Sequence, residues 1–538
     1  MNRFSIVAAT WMLVFTAVMD LRSQVSAVCT APRVRKAWGA MTDSEQQLYV
    51  DAVELGMQKG YHILFTELHS EAQSSTEFYR TCGFLYWNRR FLLAYENMLR
   101  SLGSHYECVT IPYWDYFADY SRFLVGDCLN NGTSIEACSP ILRGLGASSG
   151  TARDVTINGQ VINGGCVSAG FGKSFCESST ITNKSQCAKC IPRGNWGSTM
   201  FPSGFGYAGL AVLLGKSNGF RVFSNALQYG IHNTIHNTLS STMATYMGPA
   251  DPVFMNHHGE KCPDLTSSVT QLWRVSKNLP SSRAAIPAER QSKLKAFFTP
   301  IPIKYGELIS IKDLGALSYT YQLDQLLQNL ESHDFVCPSK AAKNNGNGPP
   351  PKMRKLQDLE VAPTATPTPP TTSTDLSIST IDTGASQATA TSNTVSTAGA
   401  ATTNFAEPAP AAASGFNTDF PAAQAERDFV QDQSLDFVAA SVEAATSVDG
   451  TVQTAFEQTE VIECLFHDEI TDGGVQDYSD YFRRNFQLDD HTHPRCFDLL
   501  QNGEGSSVRV TNWESIARRY YRRGGGTARA RGGNSRWH

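Results

Sequence analysis

A chain of 538 residues is too long for one compact core, so two or more units are expected. A formal net charge of −5 gives no reason to expect nucleic acid as a partner, and no segment beyond the N-terminus is apolar for long enough to span a membrane.

Residues 1–27 combine a basic start, a short apolar run ended by Asp20 and Arg22, and a small-x-small close at Ser26-Ala27. This reads as a signal peptide cleaved after Ala27, which predicts a secreted, extracellular protein. All 13 cysteines follow that point, and in an oxidising compartment most should pair as disulfides. From about Pro32 to Asn97 the pattern is helical. Thr42 is an N-cap with Glu45 as its capping-box partner, opening a helix that runs through "TELHSEA". A second helix follows in "FLYWNRRFLLAYENMLRSL", with apolar positions at Leu85, Leu92, Leu93 and Leu99. Between Cys108 and Trp196 the chain is loop-like, rich in Gly, Ser and Asn. Cys166, Cys176, Cys187 and Cys190 in that stretch could form a zinc knuckle, but export favours disulfides. Asn131-Gly-Thr and Asn183-Lys-Ser are glycosylation acceptors, so a glycoprotein is expected.

Helix returns around "SNALQYGIHNTIHNTLSS", where His232 and His236 stand four residues apart on one helical face. Alone, the pair is half a metal site or two unrelated polar residues. The stretch "DPVFMNHHGE", Asp251 to Glu260, then brings His257 and His258 and a third imidazole into reach. Three neutral imidazoles are a ligand set typical of zinc or copper. After Cys337 the composition changes: residues 338–425 hold almost no large apolar side chains and are expected to be a disordered, O-glycosylated, Thr/Ser/Pro/Ala-rich linker. Residues 426–538 recover aromatics and Cys464 and Cys496, enough for a small C-terminal module with a solvated Arg/Gly-rich tail.

The order HxxxH, DPxF, HH resembles the second copper half-site, CuB, of the tyrosinase family of type 3 copper proteins. "IPYWDYFAD", Ile111 to Asp119, resembles that family's IPYWDW segment, and "FLYWNRRFLLAYE", Phe84 to Glu96, its FLPWHRxFLLxFE helix. The resemblance runs from Val34 to about Trp273. It implies that residues 28–337 form a mainly α copper-binding domain with two coppers at the centre of a four-helix bundle. His232, His236 and His258 would be the CuB ligands and His69 the first ligand of the other half-site, CuA. The remaining two CuA positions carry Tyr79 and Asn88. An amide is a weak copper ligand and a phenolate suits Cu(II) more than Cu(I), so CuA is expected to be empty or weakly loaded. His62 offers no replacement, because seven helical residues separate it from His69 by about 10 Å. In the family's HHxxxD pattern the acid is replaced by Cys262, with Asp264 two residues on. Asn233 matches a position that the family associates with orienting a water for phenol deprotonation. Read from the residues alone, it is equally a helix-surface amide like Asn237.

Two functions follow from the resemblance. One is a secreted copper oxidoreductase acting on phenols or catechols with O2, weakened or lost through the incomplete CuA. The other is a non-catalytic extracellular protein with a single CuB copper. The family chemistry needs a copper pair because each Cu(I) supplies one electron.

Overall fold

The structure is a computed structural model that describes residue 29 and residues 31–81, 83–216, 220–259, 288–332, 420–449, 451–501 and 508–522. The expected signal peptide, nearly all of the expected linker, the basic tail, and Cys82, Cys262, Asp264 and Cys337 lie outside the described residues.

The fold is mainly helical. Helix α1 (Asp43–Gln58) opens on the expected capping box: Glu45 N–H donates to Thr42 Oγ1 at 3.2 Å and Thr42 N–H donates to Glu45 Oε2 at 2.9 Å. The stretch predicted as one helix, residues 42–72, is two, and a third begins at its end. Gly60, at φ 71°, turns the chain after α1, and helices α2 (His62–His69) and α3 (Ala72–Phe78) follow. A left-handed residue at that point ends a helix, and glycine adopts it without a Cβ penalty. Helix α4 (Phe84–Arg100) falls where the apolar spacing places it.

Helix α4 is tied down by Glu96, which is fully buried. Strand β1 (Arg33–Lys36), paired parallel with Tyr319–Gln322, supplies Arg33 and Arg35 to the Glu96 carboxylate at 3.0 and 3.2 Å. Burial alone would raise the pKa of Glu96, but the two guanidiniums and the Ile111 N–H more than offset it and hold it below the usual carboxylate value. Helix α5 (Tyr116–Val125) begins inside "IPYWDYFAD", N-capped by Asp115, whose Oδ1 accepts from Ala118 N–H at 3.0 Å.

The stretch read as loop holds a three-stranded antiparallel sheet: β2 (Thr151–Ile157), β3 (Gln160–Val167) and β4 (Ile191–Arg193). Its hairpin turns through Asn158-Gly159, at φ 45° and 85°. Asn-Gly between two runs is a strong hairpin signal, and the high Gly and Ser content masked it. Disulfides Cys166–Cys190 and Cys176–Cys187 pin this region, so the two cysteines of "CAKC" go to different partners rather than to a zinc knuckle. Cys29–Cys108, Cys128–Cys138 and Cys464–Cys496 are also bonded.

Helices α6 (Tyr207–Lys216), α7 (Phe220–Leu227), α8 (Asn233–Leu239) and α9 (Val253–Gly259) complete the centre of the domain. Among the described residues, the C-terminal stretch does not stand apart as the composition suggested. Helices α10 (Phe420–Asp449), α11 (Val452–Ile470), α12 (Asp480–Phe486) and α13 (Trp513–Tyr520) belong to the same compact unit as the N-terminal helices. The reason is where the aromatics of the C-terminal stretch find apolar partners. His467 of α11 packs against Tyr120 and Phe123 of α5 at 5.8 and 5.3 Å, and Arg522 N–H donates to Leu124 O at 2.8 Å.

The contact between α6 and α11 is close enough that a Cβ at Gly206 would collide with the Glu463 carboxyl group. Glu463 is fully buried and accepts from the Tyr521 hydroxyl at 3.1 Å. Burial pushes its pKa up to about 8, with the Tyr521 bond acting in the opposite sense. A raised folded-state pKa means that the stabilising protonated form is fully present below the unfolded value of about 4.5 and lost as pH rises through about 8. Glu463→Gln keeps the shape of the protonated acid. Its stability should match wild type near pH 4 and exceed it by about 1.4 kcal/mol for each pH unit gained toward 8. Denaturant titrations across that range read the difference, and a constant offset would refute the assignment.

Candidate metal centre

Two local features deliver the histidines. Between α7 and α8 the backbone makes a π-helical turn, Gln228–His232, with Gly230 at φ −87°, ψ −109°. The helix predicted to run through this segment is therefore interrupted. One π turn adds a residue to the repeat and re-aims the side chain at its end, a device often found at functional sites. It leaves His232 at the start of α8, with the His236 ring 4.5 Å away, centroid to centroid.

Helix α9 is set by Asp251. Its Oδ1 accepts from Val253 N–H at 3.1 Å, and its carboxylate takes a two-pronged pair from Arg193 of β4 at 2.7 and 2.8 Å. Arg193 also donates to the carbonyls of Leu145 and Ala147 at 2.8 and 2.5 Å. Both partners are almost fully buried. Asp251→Ala would leave the Arg193 charge buried without its counter-ion, and is expected to cost about 3–5 kcal/mol of unfolding free energy. A loss below about 1 kcal/mol in a denaturation curve would contradict this role for the pair.

Around this frame His232, His236, His257 and His258 converge, each buried and each offering a nitrogen within 4.8 Å of the others. His236 Nε2 lies 3.3 Å from His258 Nε2. His236 Nδ1 is 2.6 Å from Met243 O, and His232 Nδ1 is 3.0 Å from Asn233 Oδ1. We assign Nδ1–H as the donor in both, which leaves Nε2 with its lone pair for a metal. Phe254 stacks on His258 at 3.9 Å and Phe84 meets His232 edge-on at 4.8 Å, which limits ring rotation. This donor set of buried imidazoles, two of them held through Nδ1, fits copper or zinc.

The residues expected at the other half-site are placed differently. His69 is buried on α2 but outside the four-histidine group; its Nδ1 is 2.8 Å from Tyr246 O, and its ring lies on Phe78 at 4.1 Å. Phe91 of α4 and Phe254 of α9 both touch it, so α2, α4, α8 and α9 are the helices that surround the centre. Asn88 donates to Phe84 O of its own helix at 2.7 Å, and its Oδ1 has no hydrogen-bond partner among the described residues. The Tyr79 hydroxyl accepts from Asn233 Nδ2 at 3.4 Å. Burial holds that hydroxyl well above its ordinary pKa, against the smaller effect of the Asn233 bond, so Tyr79 is a neutral phenol. His62 bonds Tyr95 OH at 2.8 Å and Ala250 O at 3.1 Å, and burial lowers its pKa to about 4.

Asn233 is fully buried, which removes the helix-surface reading: its oxygen meets His232 and its nitrogen faces Tyr79. Asn237 is the one that looks outward, accepting from Ser479 N–H and Oγ–H at 2.9 and 2.7 Å at the start of α12. The same helix carries a residue that sequence reasoning missed. Phe486 sits 6.0 Å from His236, 5.3 Å from Tyr79 and 5.1 Å from Tyr246, ring to ring. Arg80 holds it there by donating to the carbonyls of Phe486 and Gln487.

A buried imidazole cluster among helices is a candidate metal centre. Residues 58–261 match the family described as the common central domain of tyrosinase. The chain is 23% identical over 339 residues to the tyrosinase-like protein phomQ1 of Diaporthe leptostromiformis, covering 57% of this chain and 77% of that one. It is 26% identical over 236 residues to the tyrosinase of Streptomyces antibioticus, covering 42% and 78%. Over residues 58–261 the chain carries the central domain of the tyrosinase family.

Proposed function

We propose that this is a secreted member of the family that holds a single copper through His232, His236 and His258, and does not carry out the two-copper oxidation of phenols. The observation that carries this reading is the state of the two altered positions. Asn88 presents an amide oxygen and Tyr79 a buried phenol bonded to Asn233, so neither offers a strong copper donor beside His69. When bound, copper supplies one-electron exchange. The chain itself supplies Met243 O and Asn233 Oδ1, which orient two imidazoles, and Phe486, whose ring packs 6.0 Å from that of His236.

A second reading, a phenol or catechol oxidoreductase using O2, is favoured by one feature. His69 keeps its Nδ1 on a backbone carbonyl, the arrangement that leaves Nε2 available to a metal. In this reading Asn233 orients the water that deprotonates the phenol. Metal analysis and a catechol assay on the same copper-loaded samples separate the two. One copper per chain and no turnover is expected; two coppers with turnover would replace the first reading with the second.

A further inference from the structure

We infer that His257 is a fourth ligand of that copper, making the centre a closed four-imidazole site rather than half of a copper pair. The inference rests on the single-copper reading above and goes beyond its three-histidine ligand set.

Adjacent residues on a helix point about 100° apart, so of two neighbouring histidines one usually faces a given centre and the other faces away. At the end of α9 both face the same pair of rings. His258 meets His232 edge-on at 5.0 Å and brings its Nε2 to 3.3 Å from His236 Nε2. His257 lies parallel to His232 at 5.2 Å, with 23° between the planes, and edge-on to His236 at 4.8 Å. The four rings therefore bound one volume from different sides, and one nitrogen of each lies within 4.8 Å of all the others. Metal–imidazole bonds of about 2.0 Å put nitrogens about 3.3 Å apart in a tetrahedron and about 4 Å apart across a square. The His236–His258 separation already equals a tetrahedral edge, and the wider separations exceed the square diagonal by less than about 1 Å, within reach of side-chain torsions.

His257 is also 1% exposed. Four imidazoles around one ion leave no open position for O2 or a phenol, as in closed structural sites. The copper would then stabilise the junction of α8 and α9, and through Phe486 the seat of α12.

The test uses the full chain loaded with one equivalent of Cu(II). Pulsed electron paramagnetic resonance and X-ray absorption count the imidazoles on the metal, and a competition titration gives the affinity. Wild type is expected to show four imidazoles, and His257→Gln three with affinity lower by at least about tenfold. Three imidazoles on wild-type copper, or an unchanged count and affinity in His257→Gln, would overturn the fourth ligand and leave the single-copper reading intact. The wild-type count stands even if the variant does not fold. A stoichiometry of zero or two coppers per chain would overturn the single-copper reading, and the fourth ligand with it.

Discussion

His236→Ala protein is expected to purify without copper and to show no thermal stabilisation when copper is added. His236 is tied into the group on both sides: its Nε2 is 3.3 Å from His258 Nε2, its ring is 4.5 Å from that of His232, and its Nδ1 is held by Met243 O at 2.6 Å. Changing a residue that only supports a ligand costs about 10–100-fold in metal affinity, so removing an oriented ligand should cost more than about 100-fold. Copper held by the wild-type protein at 100 times its dissociation constant stabilises the fold by about 2.7 kcal/mol. The copper-dependent rise in melting temperature should therefore be clear in wild type and absent in the variant. Retention of one tightly bound copper by His236→Ala would place the metal elsewhere.

The second large effect is a gain. Tyr79→His combined with Asn88→His should add two imidazoles near His69 and raise the copper content to two per chain. Each single change should leave it at one, because two imidazoles hold Cu(I) less well than three and the new ligands act as a unit. The exchange removes the larger ring at Tyr79, so overpacking is not the obstacle. It does remove the Asn233–Tyr79 hydrogen bond and part of the ring contact with Phe486, at a cost of about 1–2 kcal/mol. Catechol oxidation by the double variant should stay low, because a copper closed by four imidazoles has no open position for O2. A folded double variant that still binds one copper would show that losing these two residues is not what disables the second half-site.

Much of this centre could be read from the chain because its determinants are local. His232 and His236 stand one helical turn apart, His257 and His258 follow an Asp-Pro turn, and the Thr42 capping box needs three residues and no partner from elsewhere. Such features depend on helical geometry and on backbone groups within a turn, and both are written in residue spacing. The Asn158-Gly159 hairpin was equally local, and its turn signal was present although the surrounding composition pointed to loop.

What the tertiary structure alone decided involves partners far apart in the chain. Asp251 holds α9 in place through Arg193, 58 residues away; Asn233 is buried because Tyr79 comes across from 154 residues earlier; Arg80 reaches the carbonyl of Phe486 over 406 residues. The convergence of His257 with His258 belongs to the same class, because helical spacing alone would turn one of them away. Spacing along a chain specifies which side chains share a face. Which faces meet is set by the burial of apolar surface and the pairing of buried charges across the whole fold, and neither carries a local signature.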